Sequence, residues 1–129
     1  MAVHIQWDSE EKNAIVWTLI GRWTWDEYAA GWKTMLTLLG EVEEHLPDFI
    51  FDVRRMTMLP PDVITRLKLD YLKVPPKVGR MIAVGVDTHL QFFWNTFTDM
   101  PYARHLKMRY FDTLEAALEF SRTGEDRTS

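Results

Sequence analysis

Short apolar runs alternate with amphipathic stretches along this chain. Val3-His4-Ile5-Gln6-Trp7 switches between apolar and polar side chains, the period of a strand with one buried face. Asp8 to Asn13 is polar throughout and reads as a turn. Ala14 to Ile20 then returns with β-branched and aromatic residues, so the two runs predict an antiparallel hairpin closed by Gly21 and Arg22. Thr24 with Glu27 three positions later forms a capping box and predicts a helix start. Tyr28, Trp32, Met35, Leu36, Leu39, Val42 and Leu46 recur at helical spacing up to Pro47, so this first helix is expected to run to Leu46. Gly31 and Gly40 fall inside it, each less favourable than alanine by about 1 kcal/mol.

Asp48 to Val53 is a short apolar strand with Phe49, Phe51 and Val53 on one face and Ile50 and Asp52 on the other. Arg54 to Leu59 reads as a loop. Pro60-Pro61-Asp62 opens a second helix, since proline suits a first turn. Its apolar stripe is Val63, Ile64, Leu67, Tyr71 and Leu72, and Val74-Pro75-Pro76 ends it. Val78 to Val86 is apolar at nearly every position after Arg80, the signature of a central parallel strand covered on both faces. Thr88 with Gln91 is a second capping box, followed by Leu90, Phe93, Trp94 and Phe97 on a third helix ending near Pro101. Leu106 to Phe111 is a fifth strand. Asp112-Thr113-Leu114-Glu115 caps a fourth helix with Leu114, Ala117, Leu118 and Ser121 inward. The order β-β-α-β-α-β-α-β-α predicts an α/β fold: a mostly parallel five-stranded sheet with an antiparallel N-terminal edge hairpin and four helices. Residues 1–122 are expected to form one domain, with 123–129 a frayed tail.

Composition narrows the function classes. The 129 residues carry a net charge of -4, which argues against a basic nucleic-acid surface. The locally basic Arg66, Lys68, Lys73, Lys77 and Arg80 read as a solvated face of the second helix and its exit. There is no cysteine, so disulfides, thiol catalysis and Cys-ligated metals are excluded. No apolar run approaches the roughly 18 residues of a membrane span, and the N-terminus lacks a signal-peptide pattern. A cytoplasmic protein without membrane or nucleic-acid partners is expected. His4, His45 and His105 are scattered without ligand spacing, so neither a metal nor another cofactor is expected.

Several joints resemble the STAS-like (SpoIIAA-like, anti-sigma-factor-antagonist-like) family, in a divergent bacterial branch. They are the strand-to-helix passage Gly21-Arg22-Trp23-Thr24-Trp25-Asp26-Glu27-Tyr28, the strand Phe49 to Val53 leading to Leu59-Pro60-Pro61, and the ending Phe111-Asp112-Thr113-Leu114-Glu115-Ala116-Ala117-Leu118. The resemblance covers roughly residues 14–120. It implies a SpoIIAA-like fold and regulation by protein contact. It also implies a switch by phosphorylation of a serine at the start of the second helix. Here that stretch reads Pro60-Pro61-Asp62-Val63: the phosphoacceptor is missing and Asp62 takes its place. An acidic residue is also simply favoured at a helix N-terminus.

The carboxyl ends of parallel strands share one rim, where ligands bind in such sheets. The candidate binding residues there are Trp23, Trp25, Asp52, Arg54, Arg55, Met56, Met58, Asp62, Asp87 and His89. The arginines, His89 and several helix N-termini could hold an anion, and Asp87 with His89 could exchange a proton. Strand ends and capping already account for Thr24, Asp87, Thr88 and Asp112. No Gly-rich phosphate loop or catalytic motif is present, so no catalytic residue is assigned. Six tryptophans in a chain this short call for an explanation. Trp32 and Trp94 fall on helix stripes, whereas Trp7, Trp17, Trp23 and Trp25 suit either core packing or an aromatic pocket or interface. Three functions are therefore weighed. The least favoured is an enzyme at the same rim, with Asp87 and His89 as candidates. Two are favoured over it. One is a non-enzymatic regulatory or protein-binding module. The other is a binder of a small apolar ligand, using the aromatic and methionine-lined rim. A homodimer is also expected, on the reasoning that one-directional crossovers leave an apolar sheet face uncovered.

Overall fold

A computed structural model describes residues 2–43, 45–58, 62–71 and 79–124. Five strands form one sheet in sequential order: β1 (Val3–Trp7), β2 (Ala14–Gly21), β3 (Asp48–Met56), β4 (Met81–Val84) and β5 (Met108–Phe111). β1 pairs antiparallel with β2, and all later pairs are parallel. The helices are α1 (Trp25–Leu39), α2 (Val63–Tyr71), α3 (Thr88–Thr98) and α4 (Leu114–Thr123). The element order and fold class expected from the pattern are those observed. No helix among the described residues is long and apolar enough to cross a membrane.

The sheet separates two apolar cores. On one face Trp17, Leu19, Phe49, Phe51 and Met81 meet Tyr28 and Met35 of α1, Val63 and Leu67 of α2 and Phe97 of α3. On the other, Val16, Ile50, Ile82, Val84 and Phe111 meet Ala117 and Phe120 of α4. Each crossover adds its strand in the same direction, so α1 to α3 collect on one face. α4 has no further strand to feed and folds back over the second face. Over Val16, Ile50, Ile82, Val84 and Phe111 that face is therefore covered, and among the described residues it does not offer the open apolar surface from which a dimer was expected. Trp7 and Trp17 also point to the α1 side, where Trp17 is wholly buried.

Element ends differ from the sequence reading for local reasons. α1 stops at Leu39, not Leu46: Gly40 caps it through its N–H to the Leu36 and Thr37 carbonyls. Glu41 and Glu43 follow, where the helix dipole disfavours acid, and Leu46 is left 53% exposed. Gly31, counted as a weakness, is a close-packing point. A Cβ there would lie 3.0 Å from Val3 Cγ1, so glycine lets α1 settle on β1. β3 runs on through Arg54, Arg55 and Met56, which were expected in a loop. β2 extends beside it after a bulge and pairs Ile20 with Arg55 and Gly21 with Met56. β4 is shorter than Val78–Val86 because Gly85, at φ +81°, turns the chain out of the sheet. Leu106 belongs to a 3-10 turn, Pro101–Leu106, rather than to β5. The cap of α3 is Asp87, not Thr88: its Oδ1 accepts from the Leu90 N–H at 2.9 Å, while Gln91 Nε2 donates to the Val86 carbonyl. An ionised cap at the positive end of a helix outcompetes a hydroxyl one position later. Pro60, Pro61, Leu72, Val74–Pro76, Val78 and the tail beyond 124 lie outside the described residues.

The predicted capping box of α1 is present. Thr24 Oγ1 accepts from the Glu27 N–H, Glu27 Oε1 accepts from the Thr24 N–H, and Glu27 Oε2 accepts from the Ala2 N–H at 2.9 Å. Thr24→Ala is expected to cost about 1 kcal/mol, visible as a thermal midpoint lower by a few degrees. An unchanged melt would show that Thr24 does not hold this helix end.

Candidate functional site

A parallel sheet packs evenly against helices only if each row of side chains across it fills the same depth. One row here does not. The strand registers align Trp17, Phe51, Ala83 and Tyr110 across β2, β3, β4 and β5. Three are aromatic, but β4 contributes a single methyl. The gap over Ala83 opens into a cavity of about 120 Å3 between the sheet and helices α2 and α3. Phe51, Ala83 and Tyr110 form its floor, Val63 and Leu67 its α2 wall, and Leu90, Phe93 and Trp94 its α3 wall. Trp23, Tyr28 and Met56 close the side toward α1. Phe93 is a lining residue and yet 49% exposed, which puts the mouth beside α3.

The walls are almost wholly apolar. Trp23 Nε1 donates to Met56 Sδ at 3.0 Å, Trp94 Nε1 to the Leu106 carbonyl at 3.0 Å, and the Tyr110 hydroxyl to Asn95 Oδ1 at 3.1 Å. Burial pushes the Tyr110 pKa up to about 12. Tyr28 sits in an aromatic cluster, its ring centroid 5.4 Å from Trp17, 5.7 Å from Trp23 and 5.5 Å from Trp25. Arg66 of α2 lies 4.4 Å over the Trp25 ring and ties α2 to the start of α1 beside the cavity.

The sequence-predicted rim is divided by this geometry. Trp23 and Met56 line the cavity, and Trp25 backs Trp23 edge to face at 5.1 Å. Asp52 and Arg54 sit on the α4 side of the sheet, because they follow Ile50 at two-residue intervals. Arg54 makes a two-pronged bond to the Asp52 carboxylate, 2.9 Å from Nε to Oδ1 and from Nη2 to Oδ2. Gly85 gives Arg54 room, since a Cβ there would stand 2.5 Å from Arg54 Cγ. Arg55 and Met58 are exposed. Asp62 is exposed too, in left-handed backbone (φ +57°) at the foot of α2. Asp87 is spent on its cap and His89 is exposed, so the pair meets in no cleft. Sequence reasoning missed Ala83, Phe51, Tyr110, Leu67, Leu90 and Phe93. Among the described residues no cluster of His, Asp and Glu could hold a metal ion.

Asp52 offers a pH test. Burial raises its pKa, but bonds from the Arg54 side chain and backbone, with the charges of Arg54 and Arg55, outweigh that and hold it below the ordinary value. A lowered folded pKa adds stability that is full above the unfolded value of about 3.9 and is lost as pH falls through the folded one. Asp52→Asn should therefore cost stability at neutral pH and flatten the acid limb of stability against pH. Parallel acid limbs in the two proteins would contradict this.

A sequential five-stranded sheet with an antiparallel first strand, three helices on one face and the last helix on the other defines a SpoIIAA-like α/β fold. Among solved structures, the chain is similar to an uncharacterised protein of the DUF3478 family with a SpoIIAA-like fold from Shewanella loihica PV-4. The TM-score is 0.61 and the identity 15%, covering 92% of this chain and 91% of that one. No family model matches the chain, and no curated protein does.

Proposed function

We propose that this protein binds a small apolar molecule in the cavity above Ala83, without chemistry on it. The observation that carries this reading is an apolar, side-opening cavity of about 120 Å3 at the carboxyl half of a parallel sheet. Close-packed interiors contain few voids larger than a water molecule, so such a space is a departure that costs stability. Apolar cavities of ~150 Å3 stay dry and accept benzene or xenon. Native mass spectrometry of protein isolated from its host tests the reading. The expected result is a non-covalent adduct lost on denaturation. Bare chain alone, with no change in tryptophan emission on adding small apolar compounds, would contradict it.

The regulatory, protein-contact reading has a different support. Phe92 is 67% exposed on α3, next to the cavity mouth, and Leu69 of α2 is also exposed. The Phe92 ring stands 6.0 Å from that of half-exposed Phe93, and adjoining apolar side chains left in water suit an interface. On this reading a homodimer forms through α3 rather than through the sheet. Light scattering at micromolar concentration should then give two chains, falling to one in Phe92→Ser. One chain at every concentration would rule the dimer out.

A further inference from the structure

We infer that Ala83 sets the size of the ligand, and that the cavity takes a group with no polar atom at its inner end, as large as a single hydrocarbon ring. This deepens the proposed binding function and rests on it. The size argument is one of register. Ala83 lies between Phe51 and Tyr110 in one row of the sheet, so the empty volume stands where a larger β4 side chain would be. On the same face of β4 the next inward position carries Met81, a long side chain buried in the core, whereas Ile82 and Val84 turn to the α4 face. A leucine at 83 would reach toward the helices as Met81 does.

The chemical argument is one of partners. A hydroxyl or amide pushed to the floor would meet the Phe51 ring, the Ala83 methyl and the face of Tyr110. The Tyr110 hydroxyl already donates to Asn95, the Trp23 and Trp94 N–H groups are bonded within the protein, and the Tyr28 hydroxyl is enclosed by the surrounding side chains, with almost no surface open to the cavity. A buried polar group without a partner is disfavoured by roughly tenfold or more in affinity. A polar end can be carried only at the mouth, where Phe93 gives way to solvent.

The test compares benzene, p-xylene and hydroquinone on the full chain, by calorimetry and by thermal melting. Hydroquinone has the shape of p-xylene, but one of its hydroxyls must point inward whichever way it enters. Benzene and p-xylene are expected to bind and to raise the melting midpoint by mass action. Hydroquinone should bind at least roughly tenfold more weakly than p-xylene. Equal affinity for the two would overturn the ligand class while leaving the binding function standing. Binding of none of the three would overturn the binding function itself. Ala83→Leu should keep the fold and weaken benzene at least about tenfold by filling its space. Ala83→Val, a smaller change suited to a strand, should weaken it less. Unchanged benzene affinity in either folded variant would overturn the role of Ala83.

Discussion

Trp17→Ala will be the most damaging single truncation among those considered, lowering stability by about 4 kcal/mol and the thermal midpoint by roughly 15 °C. Trp17 is wholly buried, and its ring packs 5.4 Å from Tyr28, 6.1 Å from Trp32 and 5.7 Å from Phe51. It joins β2 and β3 to α1, so its loss opens a large void in the centre of that core. Trp17→Phe should behave differently. The indole N–H is buried with no hydrogen-bond partner among the described residues, a standing cost that phenylalanine removes. Lost contact area and a relieved N–H then nearly offset, leaving a cost of no more than about 1 kcal/mol. Equal damage from the two substitutions in chemical denaturation would show that the N–H is satisfied in solution.

Asp48→Ala should cost about 3 kcal/mol, or roughly 10 °C in the thermal midpoint. Asp48 is buried at the start of β3 and gathers two other elements. Its Oδ1 accepts from the Arg80 N–H at 2.7 Å, and its Oδ2 from Arg80 Nη2 at 3.0 Å and Ser121 Oγ at 2.8 Å. Arg80 Nη2 also donates to the Ser121 carbonyl, which fastens α4 to the sheet. Gly79 completes the arrangement, because a Cβ there would collide with the Asp48 carboxylate. The cost lies at the lower end for a broken ion pair because the Arg80 side chain, 42% exposed, keeps much of its water. Ser121→Ala should cost about 1 kcal/mol in the native background and almost nothing in Asp48→Ala. Additive losses in that double-mutant cycle would contradict a shared network.

Much of the fold was legible because it is written in local periodicities. The alternation of Val3 to Trp7, the Thr24–Glu27 box and the Thr113 cap each act within one turn or one strand. The ends were harder to read, since neighbours decide them. β3 continues through Arg55 and Met56 only because β2 is there to pair with. The place of α4 was not legible either. Its apolar stripe says that it packs on something, and only the end of the strand sequence determines which face is free. The aromatic and methionine excess did point toward an apolar site, and Trp23 and Met56 are part of one. Asp52 and Arg54 were read into the same rim although the alternation already sets Asp52 opposite Phe51, because sequence does not reveal which face of the strand meets which helices. Ala83 gave no signal at all: a lone alanine in an apolar strand is ordinary until register sets it between Phe51 and Tyr110.

Diffraction from crystals held under xenon tests the central claim most directly, because xenon has no polar handle and reports only dry, accessible apolar space. The expected result is one xenon site over Ala83, between Phe51 and Tyr110 and behind Phe93. Ordered water in that space, or side chains collapsed into it with no xenon bound, would contradict the account.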